Sequence, residues 1–468
     1  IGDADDVRAA SLEDVRRFYD RHYGPNNAVL ALTGDISAVP ARRLVKSLFG
    51  PIPRRPRPRP AELKEPPLKG ERVETVRDPL AKTPLTVVGW HTPERGSRDW
   101  WALTLLMTVL GGGEDSPLHE ALIKNDRLAV SASGHIPYWS SHVAARGPDL
   151  MAFFISGRLG IERGAVTAGL ARVLERFFKS GPTEAELARA KTQLERSWLE
   201  GQQSLADRAQ TLSSYVAFVG DPRGFWKDLE RLLKIAPRDC ARAARRWLRA
   251  RGRIVLQVDP GEPVERAPEP KVPEQPAEQP RKPGLAPPPP GPIRPVRAPE
   301  IVRATLANGL TVWLARDKRL PLVEVRLALR AGRVQEEPGQ EALSQAAEEL
   351  LLKGREGEDA ASVARAYTAL GWSVGSSCES EWLKLAASGL SRNLDAFLEQ
   401  LTLTLTRASY PDEEVELWRE NALEELLSRR SQPHFLSEER LRAELFSGHP
   451  YGRGAADEAK IKAVDSAR

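Results

Sequence analysis

PLTVVGWHTPERGSRDWWALTLLMTVL, Pro84–Leu110, passes from one periodicity to another within a single stretch. PLTVVGWH reads as a strand, rich in β-branched and aromatic residues, and SRDWWALTLLMTVL has helical spacing. The Trp100–Trp101 pair falls on that helix and is expected in the core. The pattern repeats outward. LMAFFISGR (150–158) and RIVLQVD (253–259) read as strands. SPLHEALIKN, AVTAGLARVLERFFKS, TEAELARAKTQLERSWLEG and RDCARAARRWLRAR read as helices. Thr183, three residues before Glu186, is a credible helix start. Strands interleaved with paired helices predict an α+β layer.

Two proline-rich breaks punctuate the chain. PIPRRPRPRP, Pro51–Pro60, separates an N-terminal piece from the central block. Pro260–Pro299 holds 15 of the 38 prolines and almost no aromatic residues, so it is expected to be a partly extended polyproline spacer. Beyond it, TLANGLTVWLARDKRLPLVEVRLALRAG suggests a hairpin-like pair. Asn308-Gly309 is the turn signal, and TVWLA and VEVRLAL alternate. Helices are predicted at 341–353, 360–370, 391–407 and 411–430, with strand-like WSVGSSCESEWLKLAASG between them.

Bulk properties exclude several classes. The chain has 468 residues, 41% hydrophobic and 28% charged, with mean hydropathy −0.42. That length predicts two to four domains. No run of 18 apolar residues occurs, so no membrane span is expected. The opening IGDADDVRAASLED is acidic and polar, unlike a signal peptide, and begins with Ile, which suggests a start after processing or a piece of something longer. Net charge is +5, but 69 basic residues face 64 acidic ones along the same helices, a pattern that argues against nucleic-acid binding. Cys240 and Cys378 lie far apart and exclude a disulfide framework.

SQAAEELLLKGREG, Ser344–Gly357, carries Gln345, Glu348 and Glu349 at i, i+3 and i+4, on one helical face. A zinc-peptidase helix uses the same slots for two histidines and a glutamate. Either a metal site has lost its ligands here, or this is a solvated acidic face.

The order of several segments resembles the pitrilysin/insulinase family of zinc peptidases, near the mitochondrial processing peptidases. DVRRFYDRHYGPNNAVLALTGDI, Asp14–Ile36, is similar to the family's helix that ends in tyrosine and leads through Pro-x-Asn to a strand and Gly-Asp. The matching residues are Tyr19, Tyr23, Pro25, Asn26, Asn27, Gly34 and Asp35. NGLTVWLARDKRLPLVEVRLALRAGRVQEEPG resembles its opening hairpin, and SPLHEALIKNDRLAVSASG a helix and strand of its second domain. HPYGRGAADEAKIKAVDSAR, at the end, resembles the lead into the chain's own beginning, which implies an internal repeat.

The resemblance implies α+β metallopeptidase-like domains, each a mostly antiparallel sheet packed with helices, in two halves joined by the Pro-rich linker. Residues 1–52 would close a first domain, 61–259 form a second, non-metal domain, 260–299 link, and 300–468 form a third, incomplete at its C-terminus. In the inverted motif His-x-x-Glu-His, QAAEELLLKG places Gln345 and Glu349 in the histidine slots and Glu348 in the general-base slot. The family's third ligand is a glutamate roughly 75 residues on, and Glu425 lies 76 positions after Glu349. With no histidine within 75 residues of Gln345, zinc is expected in the intact parent protein and not in this segment. Val374, Gly375 and Ser376 stand where active relatives offer a strand edge to substrate.

Other candidates are weaker. GGGEDSPLHEAL lacks the Gly-Lys-Ser/Thr ending of a phosphate loop, and Ser116 and Pro117 explain it as a helix entry. His119 and Asp115 are expected at the surface, and His91, His135 and His142 show no ligand spacing. The resemblance therefore implies a segment of a zinc metalloendopeptidase that encloses and cleaves peptides. Its working motif would lie upstream, with missing domains or a paired half as partner and a peptide or unfolded protein as substrate. A non-catalytic structural or assembly subunit is the alternative. Arginine and alanine richness suggests a high-GC bacterium, and the compartment is left open.

Overall fold

The computed structural model describes residues 4–59, 65–138, 149–262 and 299–466. Its architecture is α+β with mostly antiparallel sheets. The central sheet contains β1 (Arg72–Asp78), β2 (Leu85–His91), β3 (Ala129–His135), β4 (Leu150–Gly157) and β5 (Arg253–Pro260), in the order β1-β5-β2-β4-β3. Only β1 and β5 run parallel; the other pairs are antiparallel. β1 was not legible because RVETVRD is polar and almost wholly exposed.

Helices Arg98–Gly111, Arg163–Lys179, Glu184–Glu200 and Pro237–Trp247 pack together beside this sheet. Arg98–Gly111 is apolar nearly all round and is buried accordingly, with Trp100 and Trp101 in the core. Ser97 caps it by accepting from the Trp100 amide at 3.2 Å. At its end a Cβ on Gly111 would lie 2.7 Å from the Gly134 amide nitrogen of β3, so only glycine permits that approach. Glu184–Glu200 starts as its sequence predicts. Thr183 Oγ1 accepts from the Glu186 amide at 3.2 Å, and Glu186 accepts from the Thr183 amide at 2.8 Å.

After the linker, β6 (Ile301–Thr305) and β7 (Thr311–Ala315) pair across the Asn308-Gly309 turn, with Gly309 at φ 87°. The expected pairing of TVWLA with VEVRLAL does not form. β8 (Leu322–Leu329) instead joins a three-stranded antiparallel sheet with β11 (Trp372–Cys378) and β12 (Leu383–Leu390), in the order β11-β12-β8. The turn selects its immediate neighbours, and β8 finds apolar partners farther along the chain. A short pair, β9 (Gly354–Arg355) and β10 (Glu358–Asp359), links helices Leu343–Leu350 and Ala360–Ala369. Helices Leu394–Thr406 and Asp412–Arg430 complete this layer.

The N-terminal piece differs from expectation. Leu12–His22 is a helix capped reciprocally by Ser11 and Asp14, and Pro25–Asn27 forms a 3-10 turn. AVLAL, 28–32, forms no strand. Its expected edge has no neighbour among the described residues, and Leu30 and Leu32 stay half exposed. Helices Leu12–His22 and Ala38–Phe49 bury no residue. Most of the Pro-rich spacer, 263–298, and His142 lie outside the described residues.

Candidate functional site

A cleft of about 980 Å³ opens between the 108–125 and 193–197 region of the central block and the 348–376 and 414–421 region of the third. One wall is the Leu343–Leu350 helix. Glu336 starts it by accepting from the Ser344 amide at 2.8 Å and hydroxyl at 2.7 Å. Ala346 and Leu350 bury themselves against Val415 and Trp418 of the Asp412–Arg430 helix, which turns Glu348 and Glu349 into the cleft.

Gln345 Nε2 donates to Glu349 Oε1 at 2.8 Å, and Trp418 Nε1 donates to Glu349 Oε2 at 2.9 Å. Both Glu349 oxygens are thus held by neutral donors. Glu348 is buried against β11, where the Ser376 hydroxyl donates to its backbone carbonyl at 3.4 Å. Burial pushes the Glu348 carboxyl above its ordinary value, opposed by a side-chain hydrogen bond from Ser376 and reinforced by the neighbouring Glu349.

Glu425 does not join them. Its side chain is exposed and lies 3.8 Å from Arg429, one turn on. Helical geometry brings Trp418 to Glu349 instead, almost two turns before Glu425. An exposed carboxylate, a carboxylate occupied by amide and indole donors, and a glutamine make a poor zinc set. Gln345, Glu349 and Glu425 do not fit the metal. Among the described residues no group of three His, Cys, Asp or Glu side chains is placed to hold an ion.

β11 is an edge of its sheet, and Val374, Gly375 and Ser376 line the cleft. A Cβ on Gly375 would meet nothing within 4 Å. Between the central and third blocks, Lys353 pairs with Glu114, Lys124 with Glu414 at 3.3 Å, and Arg158 with Glu424 at 3.3 Å. Asp115 is not the surface residue expected. Its side chain is 6% exposed, bonded to Arg189 Nε at 3.0 Å and to the Thr368 hydroxyl at 3.0 Å. His119 sits half-buried in the cleft wall, and burial pushes its pKa down while Glu114 opposes this. Ser116 accepts from the His119 amide at 3.3 Å, and the helix that follows widens into a π-helical turn, His119–Asn125. Sequence reasoning missed Trp418 and Glu114 and misplaced Asp115, because their partners lie far along the chain. The one available signal was the position of Trp418 on a regular helical repeat.

A buried carboxyl whose folded pKa lies above its unfolded value stabilises the fold at low pH and loses that contribution as pH rises through the folded pKa. Glu348→Gln is therefore expected to raise the thermal midpoint near pH 7, with the gain closing as pH falls through the raised folded pKa and gone below about pH 4. Thermal melts across that range check it, and a lower midpoint at neutral pH would contradict the assignment.

The fold is α+β with mostly antiparallel sheets, and the Leu343–Leu350 helix forms one wall of its cleft. The M16 peptidase inactive domain matches residues 9–194. A zinc protease of Helicobacter pylori, PqqE, is 25% identical over 252 residues, 53% of this chain and 55% of that protein. A zinc protease of Mycobacterium tuberculosis is 27% identical over 267 residues, 55% of this chain and 57% of its own length. A solved protease structure from Helicobacter pylori superposes with TM-score 0.49 and 24% identity, over 55% of this chain and 61% of that one. The chain is similar to M16, or pitrilysin/insulinase, peptidases, and it spans about half the length of the curated relatives it matches.

Proposed function

We propose that this chain is the non-catalytic body of a zinc-dependent metalloendopeptidase. It would line the chamber and hold an extended peptide, with the intact zinc motif carried by polypeptide ahead of Ile1. The observation that carries the reading is the open edge of β11 facing the cleft beside Glu348. A peptide adding to that edge would satisfy unpaired backbone groups, and the small side chains of Gly375 and Ser376 would let it approach. Gln345, Glu348, Glu349 and Glu425 would be the altered ligand and base positions, and the family's zinc would act from the other half. Residues 1–52, 61–259 and 300–468 would be successive peptidase-like domains around the 260–299 linker.

Binding of fluorescent extended peptides to the 468-residue chain tests the reading. Consecutive strand amides point to opposite edges. Of Val374→Pro and Gly375→Pro, one should lose the open-edge donor and weaken peptide binding while retaining the wild-type melt. The other should break the β12 ladder and lower the melting temperature. Wild-type affinity in both variants, or no peptide binding at all, would sink the β11 assignment. Upstream, a His-x-x-Glu-His helix with zinc in the natural full-length protein is expected. A second helix without histidines would make the protein a structural or assembly subunit.

A further inference from the structure

Along most of this chain charges of both signs share a helix, and the Pro237–Trp247 helix departs from that pattern. From Pro237 to Arg251 there are six arginines, Arg238, Arg242, Arg245, Arg246, Arg249 and Arg251, and one acid, Asp239. All six arginines are exposed, and Asp239 is buried. Cys240, Ala243 and Ala244 pack the opposite face into the central core. Arg238, Arg242 and Arg245 therefore form an outward row at i, i+4 and i+7, continued by Arg249 after the helix ends. Cations in the last turn suit the helix dipole, but Arg238 stands in the first turn, where the dipole opposes a cation. Helix stability does not account for the row.

Several of the guanidinium groups are held in place with little loss of charge. Asp99 and Asp239 between them serve Arg98, Arg242 and Arg246. The Arg246 guanidinium also lies 5.4 Å from the centre of the Trp247 ring. Arg245 donates to the Phe178 carbonyl at 2.6 Å, and Arg249 donates to the Arg245 carbonyl. Arg238, Arg245, Arg249 and Arg251 have no carboxylate partner among the described residues. Crowding these cations costs electrostatic repulsion, and the anchored ones lose less entropy when an anion binds.

We propose that this row is an exosite for an acidic segment of the polypeptide whose extended part lies in the cleft, an inference that rests on the function proposed above. Arginine forks pair bidentately with carboxylates. No large apolar side chain between 237 and 251 is exposed to enter a bilayer. The one aromatic ring there, Trp247, is half-buried beneath Arg246, a poor platform for stacking a nucleic-acid base. The Arg98–Gly111 helix connects row and cleft. It runs from Asp99, which holds Arg242 and Arg246, to Thr108 and Gly112 in the cleft wall, a rise of roughly 14–20 Å. An extended chain needs at least about four residues to bridge that distance.

The test is binding of fluorescent peptides to the 468-residue chain. An extended Val/Thr-rich peptide is joined to a hexaglutamate or a hexaglutamine tract by a spacer of about two or about twelve residues. Through the long spacer the glutamate tract should raise affinity at least about tenfold over the glutamine tract, and through the short spacer it should add nothing. The gain should vanish near ~1 M salt, where charge is screened within a few ångströms. R238Q/R245Q/R249Q, at exposed positions, should abolish the gain, keep the wild-type circular dichroism and leave affinity for the glutamine peptide unchanged. R42Q/R43Q/K46Q, the same charge change on the exposed Ala38–Phe49 helix, should keep the gain. Absence of binding by the glutamine peptide sinks the function proposed above and the exosite with it, whereas binding without a glutamate gain sinks the exosite alone. The exosite is also overturned by an equal gain through both spacers, or by a gain that survives R238Q/R245Q/R249Q. Tighter binding of oligothymidylate or of phosphatidylserine vesicles than of the glutamate peptide, or a gain missing from the natural full-length protein, would overturn it as well.

Discussion

Trp372→Ala is expected to destabilise the β8–β11–β12 layer by about 3–5 kcal/mol, the range for truncating a fully buried aromatic side chain. Trp372 is 1% exposed. Its ring stacks on Phe397 with centroids 3.7 Å apart and planes 7° apart. On its other side it lies over Gly389, its cross-strand partner, where any Cβ would enter the ring. The Trp372 indole nitrogen has no hydrogen-bond partner among the described residues, so the loss is one of packing and not of polar pairing.

That arrangement makes a paired prediction. Gly389→Ala alone should cost about 1–3 kcal/mol by overpacking, and far less in the Trp372→Ala background, where the ring has gone. Urea unfolding followed by amide exchange across residues 372–390 measures both effects. Additive losses would show that the ring does not rest on Gly389. Because Trp372 begins the cleft-facing edge strand, Trp372→Ala should also weaken peptide binding.

Asp239→Ala is expected to cost about 3 kcal/mol, from two charged hydrogen-bond partners and a helix cap lost together. Asp239, 2% exposed, accepts from Arg98 at 2.8 and 2.7 Å, from Arg242 at 2.9 Å and from the Ala236 amide at 3.0 Å. It thereby ties the start of helix Pro237–Trp247 to helix Arg98–Gly111. Arg98 and Arg242 are about half exposed and can turn to water in the variant, which keeps the loss near the lower end for a broken buried pair.

The Arg98 hydrogen bond, with help from the Ala236 amide and Arg242, holds the Asp239 carboxyl far below the usual carboxylate range against the opposing effect of burial. A depressed folded pKa contributes stability above the unfolded value and loses it as pH falls through the folded one. The gap between wild type and Asp239→Asn should stay constant from neutral pH down to about pH 5 and close below about pH 4. Chemical unfolding at stepped pH checks this. A gap that persists unchanged in strong acid would show that the ion pair is not the source.

Much of the fold was legible because its signals are local. The helix at 98–111 declares itself by its largely apolar content, the helix at 184–200 by its Thr183–Glu186 cap, and β2, β4 and β5 by short apolar runs. The Gln345–Glu348–Glu349 face follows from helical spacing alone, and so does the absence of histidine from it. Which strand pairs with which did not follow. β8 abandons the nearby hairpin for β12, and AVLAL lacks a strand partner, because strand pairing depends on neighbours that periodicity does not name. Glu425 shows the same limit at the site. Its sequence separation from Glu349 suits a third ligand, yet the helix crossing delivers Trp418 to that carboxylate and turns Glu425 toward Arg429. The sequence by itself determined the α+β class, the family resemblance and the shared helical face of Gln345, Glu348 and Glu349, since each rests on residue type and short-range spacing. Only the tertiary structure decided that Glu348 is buried, that Asp115 bridges Arg189 and Thr368, and that β11 presents an open edge to a cleft, since burial and long-range contact arise from packing between distant segments.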